Sequence, residues 1–183
     1  MKHLSWLTAL ALVSVSCAGQ PAGPAAPATP PGPTATPHAN LAQLMRNIPF
    51  PSSNVIFDTQ SNDPGAAAKP AGASDPSATA TTQFSGLYGG WQAVENSALT
   101  IAETANLLLI PGRKCQNGKD VPIDREDFKK FTQGLADAGM AAYKAAQSKN
   151  LEAMSDVSNT VADACAMCHE VYRDKPTDAE RCG

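Results

Sequence analysis

Aromatic residues are scarce, 5% of the 183-residue chain. A core with few rings has to be closed by small side chains, which suits close-packed helices. Positive charge is also limited: 14 Lys and Arg stand against 17 Asp and Glu. A mildly acidic chain argues against a nucleic-acid partner. Long hydrophobic runs are missing except at the start, where Leu4 to Val15 is too short to remain as a bilayer span. No acid/base or nucleophilic constellation is visible, so an enzyme is not expected. What the sequence has in abundance is Ala and Pro, the 15 prolines crowded into a few stretches that read as disordered connectors.

Met1 to Ser16 has a cationic start at Lys2 and an apolar run, the pattern of a signal peptide. Two processing outcomes are open. Ser14-Val15-Ser16-Cys17 resembles a lipoprotein box, with Ser14 where such boxes usually carry Leu. It would make Cys17 an acylated first residue and tether the protein to a membrane. Cleavage after Ala18 would instead release a soluble periplasmic protein. Removing residues 1–16 takes away Lys2 alone and leaves 13 of the 14 basic residues against 17 acidic ones. Residues 17–38, rich in Pro, Ala, Gly and Thr, have too little apolar bulk to offset their ordering and read as a disordered tether.

The domain is expected over 39–177, with 178–183 as a C-terminal tail. Asn40 is a plausible N-cap for a first helix that puts Leu41, Leu44, Met45 and Ile48 on one face. Pro49 and Pro51 should break or bend it, and Asn54 to Gln60 should resume it. Residues 63–83 read as a long flexible insertion between the first and second helices. A second helix is predicted from about Leu87 to the Pro111-Gly112 stop, with Trp91, Val94, Ala98, Ile101, Ala105 and Leu108 as its seam. A third is opened by Asp124, with Asp127 at its third position, and has Phe128, Phe131, Leu135, Ala138, Ala142 and Ala145 as its seam. The last repeats the spacing at Leu151, Met154, Ser158, Val161, Cys165, Cys168 and Tyr172. The break at Ser148 to Asn150 is short enough to force a hairpin. These elements predict an all-α fold, an antiparallel up-down-up-down four-helix bundle.

Near the end of the last helix stands Cys165-Ala166-Met167-Cys168-His169. Two thiols three residues apart followed directly by an imidazole form the attachment site of a c-type haem. The thiols take up two porphyrin vinyl groups, and His169 becomes a ligand of the iron. On a helix, positions i, i+3 and i+4 share one side. Such haem attachment happens outside the cytoplasmic membrane, so it requires the export signal. Two other readings use the same residues. A zinc site could recruit Cys115, Cys165, Cys168 and Cys182. A redox thiol pair would need a helix N-terminus beneath it, whereas this pair falls late in a helix.

The predicted topology sets heights. If helix one starts at the top, His169 lies about 19 residues up helix four, roughly 28 Å above its base, so the haem lies at the top. Met140 is about 24 Å below that level. Met154 is near the base, and Met167 lies on the wrong side. Met45 alone has the right height to be the sixth ligand, its plain alternative being a core residue. His38, ahead of the helix, is a weaker candidate. Cys115 and Cys182 also fall at the top and are the two cysteines left over, which predicts a disulfide between them, the alternative being two unpaired thiols. Tyr172 packs the seam beside the haem. Arg173, Arg46 and Arg113 are candidates to neutralise a propionate or are solvated surface charges.

With Tyr172-Arg173 following the pentapeptide in a C-x-x-C-H-x-x-Y-R arrangement, the chain resembles the class II cytochromes c, the cytochrome c′ family. The resemblance covers roughly Asn40 to Lys175 apart from the insertion. It departs from the family on the first helix, where Leu41 holds the place of a common Arg and two prolines intervene. It implies one covalent haem c per chain in a four-helix bundle, which is often dimeric. Family members with His/Met ligation carry electrons between redox partner proteins, and Met45 points to that group. Members with an open or blocked distal site are five-coordinate and bind nitric oxide or carbon monoxide, the alternative function. The expected location is extracytoplasmic, either lipid-anchored or soluble in the periplasm.

Overall fold

A computed structural model describes residues 35–66 and 89–183. The expected signal peptide, Cys17 and nearly all of the tether lie outside the described residues, as do residues 67–83 of the insertion and Leu87. The described residues are all-α: no strand occurs among them, and the only β-type pairing is an isolated bridge between Lys114 and Asp120.

The first helix, α1, spans Leu41–Asn47. Its cap is reciprocal. The Asn40 carboxamide oxygen accepts from the Gln43 N–H at 2.9 Å, and Gln43 Oε1 accepts from the Asn40 N–H at 2.9 Å, so two otherwise orphaned donors are satisfied. The interruption expected after Ile48 is much shorter than the prolines suggested. The second helix, α2, spans Pro49–Asp58 and restarts at once, not at Asn54. Pro49 occupies the first helical position, where its missing N–H costs nothing and its fixed φ is already helical.

After α2, Asp63 to Ala66 form a turn, with the Asp63 carboxylate accepting from the Gly65 N–H at 2.7 Å; the expected insertion from residue 63 is thus ordered over its first four residues. Helix α3 spans Gly90–Leu108. Gly90 has φ +62°, and a side chain there would meet the Pro64 carbonyl oxygen at 2.9 Å. The described ends on either side of residues 67–88 therefore touch, and only a glycine permits that approach.

Helix α4 spans Glu126–Ser148 and is entered from Arg125. The Asp124 cap is a miss: the Arg125 N–H closes onto the Pro122 carbonyl at 3.1 Å, which leaves Asp124 in the preceding turn. Lys149 ends α4 in the left-handed region at φ 53°. Asn150 then caps α5, Leu151–Tyr172, accepting from the Ala153 N–H at 3.1 Å. A 3-10 helix, Asp178–Glu180, follows.

The seams carry the core. Val94, Ala98, Ile101, Ala105 and Leu108 of α3 are buried, as are Phe128, Leu135, Ala138 and Ala142 of α4 and Met154, Ser158, Val161 and Tyr172 of α5. Trp91, Phe131 and Ala145 are only partly covered, with Ala146 buried in place of Ala145. Leu151, expected on the α5 seam, is 40% exposed because it opens the helix beyond the packed region. Helix α3 packs on α2 and α4, and α5 packs on α4 and α2. The α3–α4 contact is close at Gly139, where an added Cβ would stand 2.6 Å from the Ala102 nitrogen.

Candidate functional site

Several chain ends are stitched together at one place. The Leu41 N–H donates to the Lys114 carbonyl at 2.8 Å, which joins the start of α1 to the loop after α3. The Cys182 N–H donates to the Tyr172 carbonyl at 3.0 Å, and Cys182 is disulfide-bonded to Cys115 across 67 residues of sequence. Tyr172 donates through its hydroxyl to Asp127 Oδ1 at 2.7 Å, which joins the end of α5 to the start of α4. Its ring stands edge-on to Phe128 at 5.3 Å and to Phe131 at 6.3 Å, with the Arg125 guanidinium 5.4 Å above it.

Arg113 belongs to the same stitching and not to the surface. It is buried, donating to the Ala39 carbonyl at 2.6 Å and the Leu107 carbonyl at 3.1 Å. Burial lowers its pKa. Its Nη1 and Nη2 are turned onto the backbone, its Nε is buried without a partner, and it does not line the cavity that these ends enclose, which removes it from the candidates for a propionate.

Inside these ends lies a cavity of about 440 Å³, within the usual range of about 300–1,000 Å³ for small-molecule and cofactor sites. Helix α5 supplies Ala164, Cys165, Cys168, His169 and Tyr172 to its wall; α4 supplies Phe128, Phe131, Thr132 and Leu135. Leu41, Ala42, Met45 and Arg46 come from α1, and Pro49, Phe50, Ser53 and Phe57 from α2. Met45 and the Cys165 to His169 run, 120 residues apart in sequence, thus face one space. His38 is exposed and away from it, Met154 is wholly buried in the core, and Met167 and Met140 are exposed at 46% and 40%.

Cys165 and Cys168 are free and half-buried. Burial pushes both thiols up, Cys168 to about 11 with further upward pushes from Cys165 and Asp127. Thiols held protonated are the opposite of a redox pair, which needs an accessible thiolate. The zinc reading fails on different ground: Cys115 and Cys182 are consumed by their disulfide, and no cluster of three or more metal-binding side chains occurs among the described residues. Burial, then the Arg173 charge, lowers the His169 pKa and so favours the neutral imidazole that a metal requires. Asp127 is held down at about 2, first by its hydrogen bond from Arg125 and then by that from Tyr172. Tyr172 is pushed up to about 12 by burial and then by that same bond.

A haem is amphiphilic, with a flat apolar body and two carboxylates on one edge, and the cavity fits that character. Its apolar wall includes both thiols and the imidazole at i, i+3 and i+4, and arginines stand on its lining. Arg173 is one of them, although its Nε and Nη2 are both turned onto Asp174 at 2.7 and 3.2 Å. Sequence reasoning missed Phe50, 66% exposed yet on the wall. It also missed Gln116, Asn117, Asp178 and Arg181, which line the cavity from the loop after α3 and from residues beyond α5. Their one available signal was the pairing of Cys115 with Cys182, which brings those segments together.

Comparison of the chain with protein families, curated proteins and solved structures yields no match.

Proposed function

We propose that the protein is a monohaem c-type cytochrome that carries electrons outside the cytoplasm. The observation that carries this reading is the single cavity lined by Met45 of α1 and by Cys165, Cys168 and His169 of α5. Cys165 and Cys168 would hold a haem there through thioether bonds to its two vinyl groups. Bound there, the haem supplies one-electron exchange at its iron. His169 and Met45 would be the residues that hold its iron, and Phe128 and Phe131 of α4 would keep water away from it. A thioether ligand raises the potential and closes the iron to small molecules.

The architecture proposed to hold the site is an antiparallel up-down-up-down four-helix bundle of the class II kind, in which α1 and α2 together act as the first helix. The stitching of the α1 start, α3 end, α4 start and α5 end supports it. Export is supported by the Cys115–Cys182 disulfide, since such bonds persist in oxidising compartments. A lipid anchor at Cys17, redox proteins as partners and the absence of catalysis are parts of the same proposal.

Mass spectrometry and visible spectra of the purified mature protein test it. The mass should exceed that of the polypeptide by one haem, and an unmodified mass would refute the reading. The ferric protein should show a weak long-wavelength charge-transfer band that vanishes in Met45→Ala, and the reduced protein should refuse carbon monoxide. Ready carbon monoxide binding by the unsubstituted protein would replace the electron carrier with the five-coordinate gas binder.

A further inference from the structure

The rim of the cavity formed by α1, the loop after α3 and the last residues of the chain is built around two arginines. Arg46 donates through Nη2 to Gln116 Oε1 at 3.2 Å, and it forms no ion pair among the described residues. The next residue, Asn117, uses its side-chain Nδ2 to hold the Asp178 and Arg181 carbonyls at 2.8 and 3.0 Å. Arg181 is oriented twice, by Nε on the Arg173 carbonyl at 2.8 Å and by Nη1 on Asp178 Oδ1 at 2.7 Å.

Because consecutive residues of one loop hold Arg46 and the Arg181 segment, the two guanidiniums are brought to the same rim, and both line the cavity. A guanidinium carries five N–H donors in a fixed fork. Arg46 spends one and Arg181 two, so each keeps enough for a two-pronged bond to a carboxylate. Arg173 spends two as well, both on the one Asp174 carboxylate, and keeps Nη1. The disulfide from Cys182, the neighbour of Arg181, to Cys115, the neighbour of Gln116, locks this rim covalently.

We propose that Arg46 and Arg181 form a paired guanidinium site for a ligand with two carboxylates on one edge of an apolar body. On the haem reading, on which this rests, the carboxylates are the two propionates. Arg46 and Arg181 are the binding residues, Gln116 and Asn117 position them, and Asp178 is the counter-charge that moderates Arg181. The last residues of the chain are then part of the site.

The test is the reduction potential of the full-length holoprotein. A cation beside the haem favours the ferrous state, so Arg46→Gln and Arg181→Gln should each lower the potential, and Arg181→Lys should recover most of the loss. Asp178→Asn, which frees Arg181 of its counter-charge, should raise it. Cys115→Ser with Cys182→Ser should lower it in the direction of Arg181→Gln, and adding Arg181→Gln to that pair should change little more. A misfolded Arg181→Gln would leave the lysine and Asp178→Asn variants to decide. With haem attached, an unmoved potential in both glutamine variants, or in Asp178→Asn, overturns the paired site and leaves the cytochrome standing. Absence of covalent haem from the unsubstituted protein overturns the cytochrome reading itself.

Discussion

The Tyr172 hydroxyl and the Asp127 carboxylate, 2.7 Å apart, join the end of α5 to the start of α4 three residues beyond His169. Arg125 grips the same carboxylate at 2.9 and 3.1 Å. Asp127 is therefore an acid whose folded form holds its proton more weakly than the unfolded chain does, at about 2 against an ordinary 3.8. Its stabilisation is fully present above the ordinary value and is lost as pH falls through the folded one. Thermal melts between pH 5 and pH 2 should show a stability loss concentrated between about pH 4 and pH 2, reduced in Asp127→Asn. In Tyr172→Phe one of the two side-chain donors goes, the folded value rises towards the ordinary one, and the loss should be smaller and complete at higher pH.

Two glycines of α4 should respond with opposite signs to the same change. At Gly139 a Cβ would press on the Ala102 backbone at 2.6 Å, and overpacking of this kind costs about 1–3 kcal/mol. At Gly134 nothing lies within 4 Å, so Gly134→Ala should stabilise by about 0.5–1 kcal/mol through helix propensity alone. Urea unfolding of the two variants checks both. Equal effects would mean that α3 and α4 do not approach closely at Ala102.

Removing the Cys115–Cys182 bond by a double serine substitution opens a loop closed over 67 residues. The chain-entropy relation puts the loss at about 4 kcal/mol, read from the urea midpoint under non-reducing conditions. Reductant should reproduce the shift in the unsubstituted protein and leave the double variant unchanged.

Arg113→Met should loosen α1 in particular. The guanidinium donates to the part-buried Ala39 and Leu107 carbonyls. Leu107 keeps backbone donors from Leu109 and Ile110, so the acceptor left without Arg113 is that of Ala39, at a cost of about 1 kcal/mol. Hydrogen exchange should quicken at Leu44 and Ile48, whose amides bond back to Asn40 and Leu44, more than at Val161 in the core. Uniform quickening along the chain would show that Arg113 supports the whole fold and not the seat of α1.

The helices were legible because their signals are local. Asn40 and Asn150 cap where a short polar side chain precedes an apolar period, and buried positions such as Ile101 and Val161 fall on that period. The boundaries that went astray were decided by partners distant in sequence or by backbone fit. Asp127 turned to Arg125 and Tyr172 instead of a capping box, and Pro49 proved to start a helix where its ring seemed to end one. At the site, the pentapeptide announces itself by spacing. Met45 could be singled out by counting helical rise, since height along a helix is arithmetic. Arg113 could not be told from the other arginines, because its burial depends on which carbonyls fold over it.

By itself, then, the sequence determined which segments are helical, which face of each is apolar, and that two thiols and an imidazole share one side of the last helix. These follow from a period of 3.6 residues and from the chemistry of single side chains. Only the tertiary structure decided what meets across space: Met45 and His169 on one cavity, Arg113 turned inward, and Arg46 and Arg181 held by neighbouring residues of one loop. Such meetings depend on how loops with no period of their own fold back, and the backbone hydrogen bonds and the disulfide that settle them join residues far apart in the chain.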